Sequence, residues 1–302
     1  MKRRTAPLNV QPAEGLDEYH DFSKPEDLQR YRDCLALPTL KDGRLPDSIR
    51  IGWRKVNGVR IADIRCDGAD PGKVIFHIHG GAWNGGVPCT GQRAFIEIAD
   101  ELRLNIVSVE YRLAPEHPYP AGLEDCVSAY LSLLEEGLEP ENIVLMGESA
   151  GGNLCLALML WLKDHGKPLP GGSVLISPGT DFTVLEEKKR AALEHPEDLK
   201  LSEDYETYRM YVGDADVRDP YISPIFGDFS GTSPVLVQYG STEFFAEDGE
   251  KIVHRLMTDK VDVTAHCWEY MPHVFVLMQD LIPEATLAKD EIELFIKRIL
   301  AC

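Results

Sequence analysis

Residues 142–166 read NIVLMGESAGGNLCLALMLWLKDHG: a short apolar run, a turn of small residues, then a long apolar run at helical spacing that stops at a glycine. A strand that passes into a helix through so short a turn reads as a βα unit. Both runs are almost wholly apolar rather than alternating, so both are expected to be covered on every side. The rest of the chain repeats the theme. VIFHIH (74–79), NIVSVEY (105–111), SVLISP (173–178), PVLVQYG (234–240) and VTAHCWEY (263–270) read as further strands. Leu123, Val127, Tyr130, Leu131 and Leu134 recur at helical spacing up to Gly137, and helices are also expected over roughly 247–258 and from about Pro283. RLAPEHPYP (112–120) holds three prolines and is not a helix. Strands alternating with helices predict an α/β protein: a mostly parallel sheet flanked by helices on both faces.

A length of 302 residues would allow two domains, but no repeat or linker divides the chain. Two stretches fall outside the alternation. Residues 1–48 contain the amphipathic PEDLQRYRDCLAL, and about 181–222 are charged with a helical pattern. The expected organisation is therefore an N-terminal cap segment (1–48) and a catalytic domain (49–302) that carries a cap insertion at about 181–222.

Charge and composition exclude some partners. Fifty acidic against 31 basic residues give a net charge of -19, which repels nucleic acid and anionic membranes. The basic N-terminus, MKRRTAPLNVQPAEG, has no apolar stretch behind it and is not a secretory signal as it stands. No run approaches the roughly 18 apolar residues of a membrane span. The seven cysteines are scattered, with no C-x-x-C, and read as reduced thiols of a cytoplasmic protein; Cys302 is expected to be exposed.

GESAG (147–151) is G-x-S-x-G between the strand and the helix. Ser149 would present its hydroxyl from a sharp turn, for which Gly147 and Gly151 leave room. The competing reading is a small-residue packing turn with Ser149 as helix N-cap. A serine nucleophile needs a base. Of the later histidines, His165 sits beside a helix-ending glycine, His195 in the charged segment, His254 in a helix and His266 within a strand. His273, in the loop YMPHVF, is the one free to hang over a sheet edge. An acid is expected after the preceding strand, where STEFFAED offers Glu243, Glu247 and Asp248. Glu243 leads, because the other two suit the first turn of a helix.

HIHGGAWNGG (77–86) follows a strand and admits three readings. A phosphate cradle lacks G-K-[ST] and dinucleotide spacing. A metal pair from His77 and His79, two apart on one strand face, finds no downstream cluster to complete it. An anion hole fits best: Gly80 and Gly81 turn the loop, and the N–H groups of Gly81, Ala82 and Ala150 would meet an oxyanion. His79 would then brace the loop, and His77 would be a core histidine.

HGGAW, YRLAPEHPYPAGLEDC, GESAGG, DPYISP and MPHVF, in that order, resemble the hormone-sensitive lipase family of α/β-hydrolases over most of residues 74–300. The resemblance implies an eight-stranded sheet and a helical cap made of the N-terminus and the segment after strand six, with no cofactor and no metal. It implies a triad of Ser149, Glu243 and His273, with Gly80, Gly81, Ala82 and Ala150 forming the oxyanion hole. Three positions depart from the family: Ala82 replaces a glycine, Glu148 stands where aspartate or threonine is familiar, and Glu243 stands where aspartate is usual. The family includes plant receptors that lost the histidine; His273 argues against that fate. The expected activity is hydrolysis of small to medium uncharged esters of short acyl chains, with Trp83, Phe182, Phe244, Phe245 and Phe275 lining the pocket. Kynurenine formamidases share an H-G-G-x-W loop, so amide hydrolysis is one alternative, and a non-catalytic binding protein is another. The expected partner is a small ester, and VTAHCWEY could serve as the edge of a homodimer.

Overall fold

The computed structural model describes residues 20–22, 24–184, 187, 199–279 and 281–302. Among them the apolar runs assemble into one eight-stranded sheet. Its strands are β1 (Ile49–Val56), β2 (Val59–Cys66), β3 (Val74–Ile78), β4 (Asn105–Glu110), β5 (Ile143–Glu148), β6 (Gly172–Ile176), β7 (Val235–Gly240) and β8 (Val263–Trp268). They lie in the order β1-β2-β4-β3-β5-β6-β7-β8. β2 is antiparallel to β1 and β4, and all other neighbours are parallel. Every residue of β3, β5, β6 and β7 is buried, as two-sided cover of a parallel sheet requires.

Seven α-helices are described: α1 (Pro25–Leu35), α2 (Arg93–Leu102), α3 (Ala121–Glu135), α4 (Ala150–Asp164), α5 (Leu199–Val212), α6 (Ala246–Thr258) and α7 (Pro283–Leu300). Strand periodicity divides the core between the two faces. Phe76, Ile78, Leu145, Leu175 and Val237 pack with α3, α4 and α6, whereas Ile75, Val144, Met146, Val174 and Leu236 pack with α2 and α7. α4 runs beneath the middle of the sheet with twelve buried residues, which explains its all-round apolarity.

The β1–β2 hairpin and α2 lie outside the sequence reading above, yet both carry a signal. Asn57-Gly58 joins the two strands with φ of 50° and 90°, the pair of positive angles that suits a two-residue hairpin turn. In α2, Phe95, Ile96, Ile98, Ala99 and Leu102 form a buried stripe.

α1 packs Leu28 and Tyr31 on the core, and Arg32 ties it to the loops beside the sheet. Arg32 donates from Nε to the Asn84 carbonyl (2.7 Å) and from Nη2 to the Ala114 carbonyl (3.0 Å), and it pairs with Glu116 at 2.7 Å. Tyr208, Met210, Tyr211 and Val212 of α5 join the core on the α4 face. The remainder of the expected cap, residues 1–19, 23, 185–186 and 188–198 with His195, lies outside the described residues. Among the described residues no helix is long and apolar enough to cross a membrane. All seven cysteines are free; Cys66, Cys89, Cys126 and Cys155 are buried, and Cys267 joins Cys302 as exposed.

Candidate active site

β5 delivers Ser149 to the carboxyl edge of the parallel strands, where the chain must turn at once into α4. The turn costs backbone strain: Ser149 has φ 54° and ψ -120°, a conformation worth on the order of 1–3 kcal/mol to a non-glycine residue. The flanking glycines are sterically required. A Cβ on Gly147 would stand 2.4 Å from the Gly151 carbonyl oxygen, and one on Gly151 would stand 1.9 Å from that of Ile78. Gly151→Ala is therefore expected to cost about 3 kcal/mol or more, above the usual range for overpacking because backbone is what it strikes. A chemical denaturation curve would check this, and an unshifted midpoint would refute it.

Past β8 the chain is pinned before it presents His273. Tyr270 N–H donates to Ser241 Oγ (2.8 Å), Thr242 Oγ1 donates to the Met271 carbonyl (2.9 Å), and Val274 N–H donates to Ser177 Oγ (3.1 Å). His273 Nε2 then lies 2.9 Å from Ser149 Oγ. Glu243, three residues beyond the end of β7, reaches the other side of the ring, with Oε1 3.6 Å from His273 Nδ1. Neither of those two atoms has a hydrogen-bond partner among the described residues. The gap exceeds the 2.7–3.2 Å of an N–H···O bond by roughly half an ångström, and such contacts often tighten only with substrate bound. The second oxygen of Glu243 is fixed, accepting from Ser177 Oγ at 2.7 Å and from Gly240 N–H at 3.0 Å. Ser177 thus touches both the acid and the loop of the base. Sequence reading overlooked it, although its place at the end of a strand next to the nucleophile's strand was visible.

The other candidates are engaged elsewhere. Glu247 is exposed and pairs with Lys251 at 3.0 Å. Asp248 accepts from the backbone of Thr180 and Asp181, and burial raises its pKa. His165 bonds the Trp161 carbonyl, and His266 pairs with Glu291.

The glycine loop after β3 brings Gly80, Gly81 and Ala82 to the same cavity as Ser149 and His273. Gly81, Ala82 and Trp83 have φ of 113°, 55° and 62°, so three consecutive residues sit in left-handed conformations. Only glycine fits at Gly81, where a Cβ would meet the Gly85 carbonyl at 2.5 Å. Gly80 is not a free donor: its N–H is taken by Glu148 Oε1 at 2.8 Å. That leaves the amides of Gly81 and Ala82, with that of Ala150 at the positive end of α4. His79 donates to the Gly80 carbonyl (2.8 Å) and stacks on Tyr111; burial lowers its pKa to about 4. His77 and His79 do not share a face after all. The chain bends beyond Ile78, leaving His77 on Phe95 in one layer and His79 on Tyr111 in the other.

The cavity holds about 400 Å³. Trp83, Phe244 and Phe245 line it, with the Phe244 ring tilted against His273 at 4.5 Å and Phe245 edge-on to it at 5.5 Å. Phe182 and Phe275, expected to line it as well, do not. Phe182 turns into a buried aromatic cluster with Trp83 and Tyr211, and Phe275 packs on Trp268 on the opposite face of the sheet. Tyr31 and Leu35 of α1, Thr207 and Tyr208 of α5, and Leu277 and Met278 complete the walls.

Comparison with known proteins agrees with this architecture. The family described as alpha/beta hydrolase fold matches residues 75–277. An esterase of Acinetobacter venetianus is 35% identical over 252 residues, covering 82% of each chain. An acetyl-hydrolase of Streptomyces hygroscopicus is 32% identical, covering 75% of this chain and 76% of that one. The crystal structure of an esterase from the bacterial hormone-sensitive lipase family superposes with a TM-score of 0.78 at 32% identity, covering 91% of both chains. A buried strand–serine–helix turn, a glycine loop beside it and this degree of likeness lead to one assignment: the chain belongs to the hormone-sensitive lipase family of α/β-hydrolases.

Proposed function

We infer that the chain is a carboxylesterase that works through an acyl-enzyme on Ser149. The observation that carries this reading is the 2.9 Å contact between Ser149 Oγ and His273 Nε2 at the floor of an apolar cavity. His273 takes the serine proton as Oγ attacks the ester carbonyl. The amides of Gly81, Ala82 and Ala150 hold the oxyanion, and Gly80 shapes the loop. Collapse expels the alcohol with the proton from His273. Water then attacks the acyl-enzyme by the same route and releases the acid. Glu243 holds the imidazole tautomer and stabilises the imidazolium, without accepting the proton.

Substrates are small, uncharged esters. About 400 Å³ lies near the low end of the usual range for ligand pockets. Leu35, Phe244, Phe245, Leu277 and Met278 make much of the wall apolar, and among the described residues no lysine or arginine lines it to pair with an anionic group. Residues 1–48 and about 181–222 act as the cap over the 49–302 catalytic domain; the walls contributed by α1 and α5 support that division. Seven unpaired cysteines support a reducing compartment, the cytoplasm. The uncovered edge of β8 supports self-association there.

The test is turnover of a chain-length series of p-nitrophenyl esters beside N-formylkynurenine. The expected result is strong activity from acetate to hexanoate, falling by about tenfold or more at dodecanoate as the chain outgrows the cavity. Preference for the formamide would replace this reading with an amidase. Silence on every substrate alongside saturable binding would replace it with a binding protein.

A further inference from the structure

Glu148 precedes the nucleophile, and its carboxylate is almost wholly buried. One oxygen accepts the Gly80 N–H at 2.8 Å, and the other lies 3.1 Å from His77 Nε2. His77 is fully buried in β3, with Nδ1 2.9 Å from Ser108 Oγ, an oxygen that also accepts the Cys89 N–H at 3.1 Å. Burial opposes a charge on His77, but the Cys89 sulfur and the Glu148 carboxylate overcome it and raise its pKa to about 10. A carboxylate only accepts, so Nε2 carries a proton and donates to Glu148, and the raised pKa favours a charged ring beside the buried anion. One carboxylate joins the strand that delivers Ser149 to the first amide of the loop that would hold the oxyanion. The same carboxylate borders the catalytic cavity. A negative charge there opposes the negative charge that develops on the substrate oxygen, unless a cation cancels it.

We propose that His77 and Glu148 are a positioning pair that fixes the oxyanion loop against Ser149, with the His77 ring holding and compensating the buried carboxylate beneath the site. The pair touches no reacting atom. It acts through the Gly80 amide, whose position sets those of Gly81 and Ala82. The proposal rests on Ser149 being the nucleophile.

The two halves of the proposal separate in a mutant cycle on the full-length enzyme. His77→Gln keeps a donor but removes the cation, leaving Glu148 buried and uncompensated. It is expected to lower kcat/KM for p-nitrophenyl butyrate about 100-fold, the scale of losing one oxyanion donor. Glu148→Gln keeps an acceptor for Gly80 N–H and removes the charge, and is expected to cost about tenfold or less. The double variant is then expected to be more active than His77→Gln alone. A trifluoromethyl ketone, which forms an oxyanion adduct with the serine, is expected to lose affinity in proportion to kcat/KM while KM changes by less than about threefold. Labelling with a fluorophosphonate counts the folded, reactive Ser149 in each preparation.

Losses that multiply in the double variant, or inhibitor affinity that stays constant while KM rises, would overturn the proposal and leave an ordinary buried pair. If His77→Gln does not fold, the comparison of Glu148→Gln with Glu148→Ala decides. Retention of at least about tenfold more activity by the amide supports the loop anchor, and equal activity overturns it. Failure of the Ser149 reading is distinguishable, because it would appear as an active Ser149→Ala enzyme.

Discussion

Ser149→Ala is expected to lower kcat by about 10⁵-fold or more, with the fold intact, since removing the nucleophile of a serine hydrolase costs on that order. The size of the effect follows from the division of labour in the cavity. His273 has one acceptor nitrogen facing the site, and Ser149 Oγ occupies it at 2.9 Å. Without that hydroxyl, the loop amides can still polarise a carbonyl, so a residual rate above water remains. Alanine also inherits the unfavourable φ of 54°, so the strain is neither relieved nor increased. The melting temperature is expected to move by no more than about 2–4 °C, the shift that 1 kcal/mol produces in a chain of this size. Steady-state turnover and a thermal melt on one preparation give both numbers. Activity above about one per cent of the parent enzyme would identify another nucleophile.

Glu243→Gln is expected to be the next most damaging change, lowering kcat by about 10²–10⁴-fold, up to the loss measured when a serine protease's triad aspartate becomes asparagine. The carboxylate accepts Ser177 Oγ–H and Gly240 N–H at Oε2 and turns Oε1 toward His273 Nδ1 at 3.6 Å, within reach of closing on it when substrate binds. An amide has one acceptor end only. Whichever way it turns, an NH₂ group meets a donor, and either the imidazole loses its orientation or the Ser177 link breaks. Glu247→Gln removes an exposed pair with Lys251 and is expected to change kcat by less than about twofold, because exposed ion pairs contribute little. Comparable losses in the two variants would sink the assignment of the acid. Glu243→Asp gives a third reading: the shorter arm widens a contact already at 3.6 Å, so restoring the residue more usual in this family should not restore or improve the rate here.

Legibility in the sequence followed steric necessity. Gly147 and Gly151 are dictated by backbone atoms 1.9–2.4 Å from where a Cβ would stand, so the nucleophile turn left a mark in the letters. The parallel strands announced themselves because burial on both faces permits little but apolar residues. The β1–β2 hairpin was also written, in Asn57-Gly58 between alternating residues, and was passed over because β1 is largely exposed and its composition polar. The walls of the cavity were a different matter. Tyr31, Leu35 and Tyr208 lie on helices whose contact with the site depends on tertiary docking, above all on Arg32 gripping the Asn84 and Ala114 carbonyls. Phe182 and Phe275 show the reverse error: an aromatic near the reacting edge in sequence can turn away into core that one-dimensional spacing does not reveal. Ser177 escaped notice because a lone serine at a strand end carries no pattern until Glu243 and Val274 arrive beside it.

The Arg32 grip separates the site into a fixed part and an attached part. The reacting groups stand on strand ends locked into a common sheet, where almost any substitution disturbs the core. Tyr31, Leu35, Thr207 and Tyr208 stand on two helices outside the sheet, of which α5 is itself rooted in the core by Tyr208, Met210, Tyr211 and Val212. A change on the cavity face of α1, at Tyr31 or Leu35, thus alters the wall without touching the reacting groups, as long as Arg32 keeps the helix seated. For an engineer the same layout is a recipe: graft a foreign α1 that keeps Arg32, and a new specificity can be installed over unchanged chemistry.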